Sequence, residues 1–294
     1  MNAPHRFTLG TAALLFVVPA VAAPFFFSTG NPDGAMAAAT RPSTGASFEI
    51  ETGDDFVLTS QTLINSATFV GISTGQFTPG EVRVEIYRVF PFDSNVGRTS
   101  GPPTFSTPEV PTRVNSPSDV EFDDRDTASG NLTFTAISQG PFAAANSVVP
   151  GGIHPLPGVT TGGNGPVSGS ETLFNVNFTT PFDLPAGHYF FVPQVADASP
   201  GGTFFWLSAP RPIVPPGTPF PAGFTDLQAW TRDQFLDPDW LRIGADIVGP
   251  TPATAPTFNM TFSLTGTSVP EPATLALFGL GLAGLAASRR RKIN

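Results

Sequence analysis

The sequence predicts an all-β chain, an antiparallel, jelly-roll-like β-sandwich of about ten strands. Three observations carry that expectation. The chain holds 33 prolines and 30 glycines but only 13% charged residues, so it is rich in turn formers. Apolar and polar residues alternate with period 2 in several segments. Beyond residue 40 a 3.6-residue period is hard to find.

In chain order, strands are expected at Ser47–Thr52, Leu63–Ile72 and Glu81–Tyr87, the last with Val82, Val84 and Ile86 on one face and charges on the other. Val120–Asp123 and Leu132–Ile137 follow, then Phe174–Phe178, where Asn175 and Asn177 alternate with apolar residues. His188–Val195, Thr203–Leu207, Trp240–Ile243 and Phe258–Leu264 complete the set. The clearest three strands have one polar face, as in antiparallel sheets packed through the other face. Pro/Gly-rich loops are expected at Asp93–Asn115, Pro141–Ser170 and Pro210–Gly223. Residues 23–45 read as a disordered lead-in, and 46–267 as one ectodomain.

Both ends read as targeting segments. His5 and Arg6 precede the apolar run Phe7–Val18, and Ala20-Val21-Ala22 has the small-x-small pattern of a signal-peptidase site. Residues 1–22 are therefore expected to be a signal peptide cut after Ala22. At the other end, Pro270-Glu271-Pro272 precedes an apolar segment, residues 273–288, and the basic cluster Arg289, Arg290, Arg291 and Lys292. An apolar helix with cations behind it is expected to insert with the cations on the cytoplasmic side. Its sixteen residues reach about 24 Å as a helix, short of a hydrocarbon core of about 30 Å, so it is expected to be a weak anchor.

These three ordered parts, residues 268–294, resemble the PEP-CTERM sorting signal of Gram-negative bacteria. The resemblance implies an exosortase, a membrane-embedded cysteine protease, as partner, with cleavage near Pro-Glu-Pro. It also implies membrane attachment through the C-terminal helix before processing, then a cell-surface or extracellular location beside exopolysaccharide and biofilm components. A looser resemblance covers Gly53–Leu58 with Thr62–Gly71, and Leu184–Phe190, which look like β-sandwich ectodomains of that group. Those domains are similar in outline to carbohydrate-binding sandwiches.

Charge narrows the function classes. Setting aside Arg6 and Arg289–Lys292 leaves nine of the 14 basic residues against 22 of the 23 acids, a balance of −13 over residues 23–270 with no lysine. That balance argues against nucleic acid as a partner. The chain has no cysteine, so disulfides cannot substitute for a core. Beyond residue 22 only His154 and His188 remain as histidines, and neither sits in a metalloprotease helix motif or beside a nucleophile elbow.

No catalytic residue is assigned, and no cofactor is expected except calcium as a candidate. Asp123, Asp124 and Asp126 form the densest acidic run and could supply hard oxygen ligands. Asp54-Asp55 and Asp237-Pro238-Asp239 read as strand-cap and turn residues. Trp230 and Trp240 flank a polar loop and are candidates for stacking on sugar rings. The expected function is a non-enzymatic surface or matrix protein, structural or adhesive and with glycan-binding capacity. The alternatives are a hydrolase of extracellular glycans or esters using His154 or His188, and a calcium-stabilised scaffold.

Overall fold

The computed structural model describes residues 22–44, 47–93, 115–149, 160–198, 201–234, 240–249 and 255–269, together with Gly281. The signal peptide, His154, Asp237, Asp239, the helix expected at 273–288 and the sorting residues Pro270, Glu271, Pro272 and Arg289–Lys292 lie outside them. Among the described residues no helix is long and apolar enough to cross a membrane.

Residues Ala23–Val269 form one compact all-β unit of two sheets. The larger contains nine strands: β1 (Ala23–Ser28), β2 (Met36–Ala39), β4 (Thr62–Thr74), β7 (Leu132–Ala144), β8 (Asn146–Val148), β9 (Val167–Leu184), β11 (Thr203–Ala209), β14 (Asn259–Met260) and β15 (Phe262–Ser268). The smaller has the order β13 (Leu241–Arg242), β12 (Trp230–Asp233), β3 (Ile50–Leu58), β10 (Gly187–Asp197), β5 (Pro79–Arg88) and β6 (Asp123–Asp126). β4 organises the larger sheet: it pairs with β9 along Thr62–Ser73 on one side, and with β15 and then β11 on the other. Where β4 passes from β15 to β11, Gly71 is required sterically. A Cβ there would stand 2.3 Å from the Phe204 ring and 2.5 Å from the Phe205 carbonyl oxygen.

The sheets face each other across an aromatic core. Phe191 of β10 stacks on Phe262 of β15 with centroids 5.0 Å apart, and Phe69 stacks on Phe174 at 4.9 Å. Trp206 is fully buried, and its Nε1–H donates to the Thr261 carbonyl at 2.7 Å. The inward residues of β5 are the predicted Val82, Val84 and Ile86, so period 2 located that face correctly.

Several expectations are corrected. Residues 23–45 are not a disordered lead-in, because β1 pairs with β15 and β2 lies between β11 and β8. Met36, Ala37, Ala38 and Ala39 are all buried. Met36 and Ala38 join the inter-sheet core, and Ala37 and Ala39 join a second cluster with Ile50, Ile72, Phe205 and Leu207. A strand covered on both faces has no polar positions, so alternation does not mark it. The β2–β8 pair is parallel, a departure from the all-antiparallel expectation.

Pro141–Ser170 is not one long loop. β7 runs through Gly140 and Pro141 to Ala144, with a register shift between Ser138 and Gly140. Among the described residues it pairs with β9 alone and is an edge strand, where proline is tolerated. β6 lies three residues later than expected. The segment Trp240–Ile243 yields only the two-residue β13, followed by a π-helical turn over Ile243–Val248.

Candidate functional site

The C-terminal end of the larger sheet is built without slack. In β15, Ser268 lies opposite Thr62 of β4 on one side and Ala23 of β1 on the other. One residue further, the Val269 N–H donates to the Gln61 carbonyl at 2.7 Å. Gln61 is fixed in turn by its Nε2–H donating to Asp183 Oδ1 at 2.8 Å. The sheet therefore holds the backbone up to the residue before Pro270.

Residues 268–292 match the family model of the PEP-CTERM protein-sorting motif. The chain carries that motif. The PEP-CTERM motif implies processing by an exosortase, a membrane enzyme, and so export, membrane-anchored sorting and then release to the cell surface. No curated protein and no solved structure matches the chain.

The second concentration of chemistry is the outer face of the smaller sheet. Period 2 suggested that the charges of β5 face water. Glu81 and Arg83 are partly exposed, but Glu85 is buried under a roof, in which Trp240 Nε1–H donates to the Ser118 carbonyl at 3.0 Å and Arg232 Nη1–H donates to the Asp119 carbonyl at 3.3 Å. Beneath it, Arg232 of β12 pairs with Glu51 of β3 through its Nε and through Nη2 at 3.1 Å. The Tyr87 hydroxyl donates to Glu51 Oε1 at 2.5 Å, accepts from Arg232 Nη2 at 3.1 Å, and lies 3.2 Å from Glu85 Oε2. Burial raises the Glu51 pKa, but the Arg232 guanidinium outweighs it and the net shift is downward. Burial, reinforced by the Glu51 charge, pushes Glu85 well above the usual carboxylate range. One cation thus stabilises one of two adjacent carboxyls. Residues 181 positions apart make this pair, which no local pattern signals.

Asp54 and Asp55 are not cap or turn residues. Both sit within β3 and are 1% exposed. Asp54 points into the sandwich and accepts from the Met260 N–H at 2.7 Å. Asp55 points to the opposite face, where its Oδ2 lies 2.5 Å from His188 Nε2 and accepts from the Leu227 N–H at 3.1 Å. Burial raises both carboxyls well above their ordinary value, and Asp55 adds to the effect on Asp54. Burial lowers His188 to about 4, against a smaller opposing effect of Asp226. Burial drives each partner toward its neutral form, which suits a hydrogen bond from a protonated Oδ2 to Nε2. The imidazole is flanked by Phe220 and Phe224, with centroids 6.2 and 6.0 Å away. It also borders a mainly apolar cavity of about 430 Å³ lined by Arg88, Phe90, Phe92 and Tyr189 among others. Among the described residues, no serine or threonine hydroxyl bonds His188 to complete a nucleophilic triad.

The two other predicted sites have the following surroundings. Asp123, Asp124 and Asp126 lie on the extended strand β6, where neighbouring side chains diverge. Asp123 Oδ1 and Oδ2 accept from Arg125 at 2.6 and 3.0 Å. Asp126 accepts from the Ser129 N–H at 2.6 Å and from its hydroxyl at 2.8 Å, closing the following turn. Among the described residues, no three His, Asp or Glu side chains converge to hold a metal. Trp230 and Trp240 are 1% and 0% exposed and pack with Tyr87, Phe190, Val192 and Leu227, so neither offers an open ring face to a sugar. Their apolar neighbours come from β5, β10 and the segment before β12, and that convergence is tertiary.

Proposed function

We propose that this chain is a non-enzymatic component of the cell surface or extracellular matrix, structural or adhesive, delivered there by exosortase processing. The observation that carries the reading is the sorting motif joined directly to the last strand of a folded sandwich. A compact domain whose last strand runs to Val269, followed at once in the sequence by the sorting signal, suits a protein displayed or released as one body. The acidic, lysine-free ectodomain composition favours neutral partners over polyanions. Exopolysaccharide in a biofilm is the partner class that this reading favours. The chain crosses between sheets from β3 to β4, β4 to β5, β6 to β7, β9 to β10 and β10 to β11, which supports a jelly-roll-like description of the sandwich.

The intact mass of protein recovered outside native cells, wild type beside Glu271→Ala, tests the sorting step. The expected mature species starts near Ala23, ends near Pro270 and disappears in the variant. Retention of the tail through Asn294 in both proteins would remove the basis of the matrix role. Retention on a panel of immobilised polysaccharides tests adhesion, and no binding to any member would exclude a glycan partner.

A hydrolase is the second reading, favoured by the His188–Asp55 dyad alone. Equal turnover of glycoside and ester substrates by wild type and His188→Gln would dispose of it.

A further inference from the structure

The free edge of β7 differs from the other sheet edges among the described residues. β13 and β14 are two residues long, and β6 presents Asp123, Asp124 and Asp126. β1 carries Pro24, and its Ser28 carbonyl accepts from the Thr218 N–H at 2.7 Å. β8 has three residues and is covered by the chain at 162–165. There the Asn164 N–H donates to the Ser147 carbonyl at 2.8 Å, and Asn146 Nδ2–H donates to the Gly162 carbonyl at 2.7 Å. Short length, charge, proline and cover are the usual devices that keep an edge from pairing with another chain.

β7 uses none of them over Leu132–Ser138. The segment holds no charge, proline or glycine, and its Thr, Phe and Ile residues favour strand. It pairs with β9, and no backbone hydrogen bond joins residues 132–138 to any other segment among the described residues. Thr133, Thr135, Ala136, Ile137 and Ser138 are exposed, Ile137 by 48%. The register shift after Ser138, and then Pro141, end the regular edge. Residues 127–170 contain no Asp, Glu, Lys or Arg, in an ectodomain whose balance is −13. The β9 residues opposite Thr133, Thr135 and Ile137 are the uncharged Asn177, Asn175 and Leu173. Two acidic copies repel over most of their surface, so this margin is where identical chains approach at least cost. A cationic partner gains no attraction there.

We propose that β7 is a self-association edge, through which two copies of this chain pair antiparallel over Leu132–Ser138 about a two-fold axis at Thr135. This register sets Thr133 opposite Ile137 and Phe134 opposite Ala136, and it keeps the core sides of both sheets, marked by Leu132 and Phe134, together. Opposed β-branched residues are favourable cross-strand neighbours. The contact is isologous and occupies the unguarded edge of each copy, so association closes at the dimer and does not grow into a fibre. A strand pair of seven residues per copy lies at the small end of specific interfaces, so the dimer is weak and reversible. The contact belongs to the folded domain and does not depend on the surface or matrix role proposed above.

Sedimentation of the full chain in density-matched detergent, from about 5 to about 300 μM, should show a monomer–dimer equilibrium within that range. Thr135→Lys sets two cations against each other on the axis and should weaken the dimer by about tenfold or more. Thr265→Lys, exposed on β15 of the same sheet, should leave it unchanged. The chain has no cysteine, and residues on a two-fold axis come within bridging distance. With copper-phenanthroline as oxidant, Thr135→Cys should therefore form an interchain disulfide much faster than Thr265→Cys. A wild type that stays monomeric throughout would overturn the proposal, as would a dimer that Thr135→Lys leaves intact or equal cross-linking of the two cysteine variants. Species that keep growing with concentration would also overturn it, because they require a second free edge. The cysteine comparison decides the matter if Thr135→Lys fails to fold.

Discussion

Replacing Asp55 by Asn and His188 by Gln should tilt the pH dependence of stability in opposite directions, although the two side chains share one hydrogen bond. Between about pH 4 and 6.5 the unfolded pair carries one proton, because its Asp is ionised and its His is charged. The folded pair also carries one for as long as Asp55 keeps its proton, because burial keeps His188 neutral above about 4 and raises Asp55. Equal proton counts mean that the wild-type pair contributes no slope in this window.

In Asp55→Asn only His188 remains. Its depressed folded pKa makes its stabilisation fully present above about pH 6.5 and lost as pH falls toward about 4. The slope approaches 1.4 kcal/mol per pH unit, and the total loss is roughly 3 kcal/mol. In His188→Gln only Asp55 remains. Its raised pKa makes stability greatest below about pH 3.9 and lowers it as pH rises, with the same limiting slope. Asp226 and Arg211 also act electrostatically on this site and are common to all three proteins, whereas Asp54, which the Asp55 charge raises, is replaced by Asn in all three backgrounds so that its titration does not enter the differences. Urea denaturation at half-unit steps from pH 4 to 7 measures these differences. Slopes of the same sign in both variants, or no change from wild type in either, would refute the one-proton dyad.

Other outcomes follow from the packing. Gly71→Ala forces a methyl into the Phe204 ring and the Phe205 carbonyl, and thermal denaturation should show a loss of about 1–3 kcal/mol. Arg232→Met strands the Glu51 carboxylate beneath Trp240 and Ser118, and should cost about 3–5 kcal/mol at pH 7, with part recovered on acidification as Glu51 protonates. Glu51→Gln in the same background should relieve most of that loss, read as a double-mutant cycle. Millimolar calcium should leave the melting temperature unchanged, since Asp123 and Asp126 are occupied by Arg125 and Ser129. A rise reversed by a chelator would reinstate the acidic cluster as a cation site.

The sorting motif was legible in the sequence because its physics is local. Pro270-Glu271-Pro272, an apolar segment and terminal cations stand in fixed order, and each is recognised without reference to the rest of the chain. The all-β class was legible for the same reason, since β5 and the middle of β9 alternate with one face in the core. Local pattern failed where a strand has two covered faces. Met36–Ala39 shows no alternation because both of its faces are packed, and Glu85 looks solvated in sequence but lies under a roof contributed by Ser118, Asp119, Arg232 and Trp240. Asp54 and Asp55 differ by one position and so point to opposite sides of β3, one into the sandwich and one to His188. The burial of Trp230 and Trp240 likewise depends on which distant segments arrive above the sheet. The sequence by itself determined the export address and the β class, because both are written in runs of adjacent residues. Only the tertiary structure decided which charges are buried and which are paired, because burial depends on partners that lie far away along the chain.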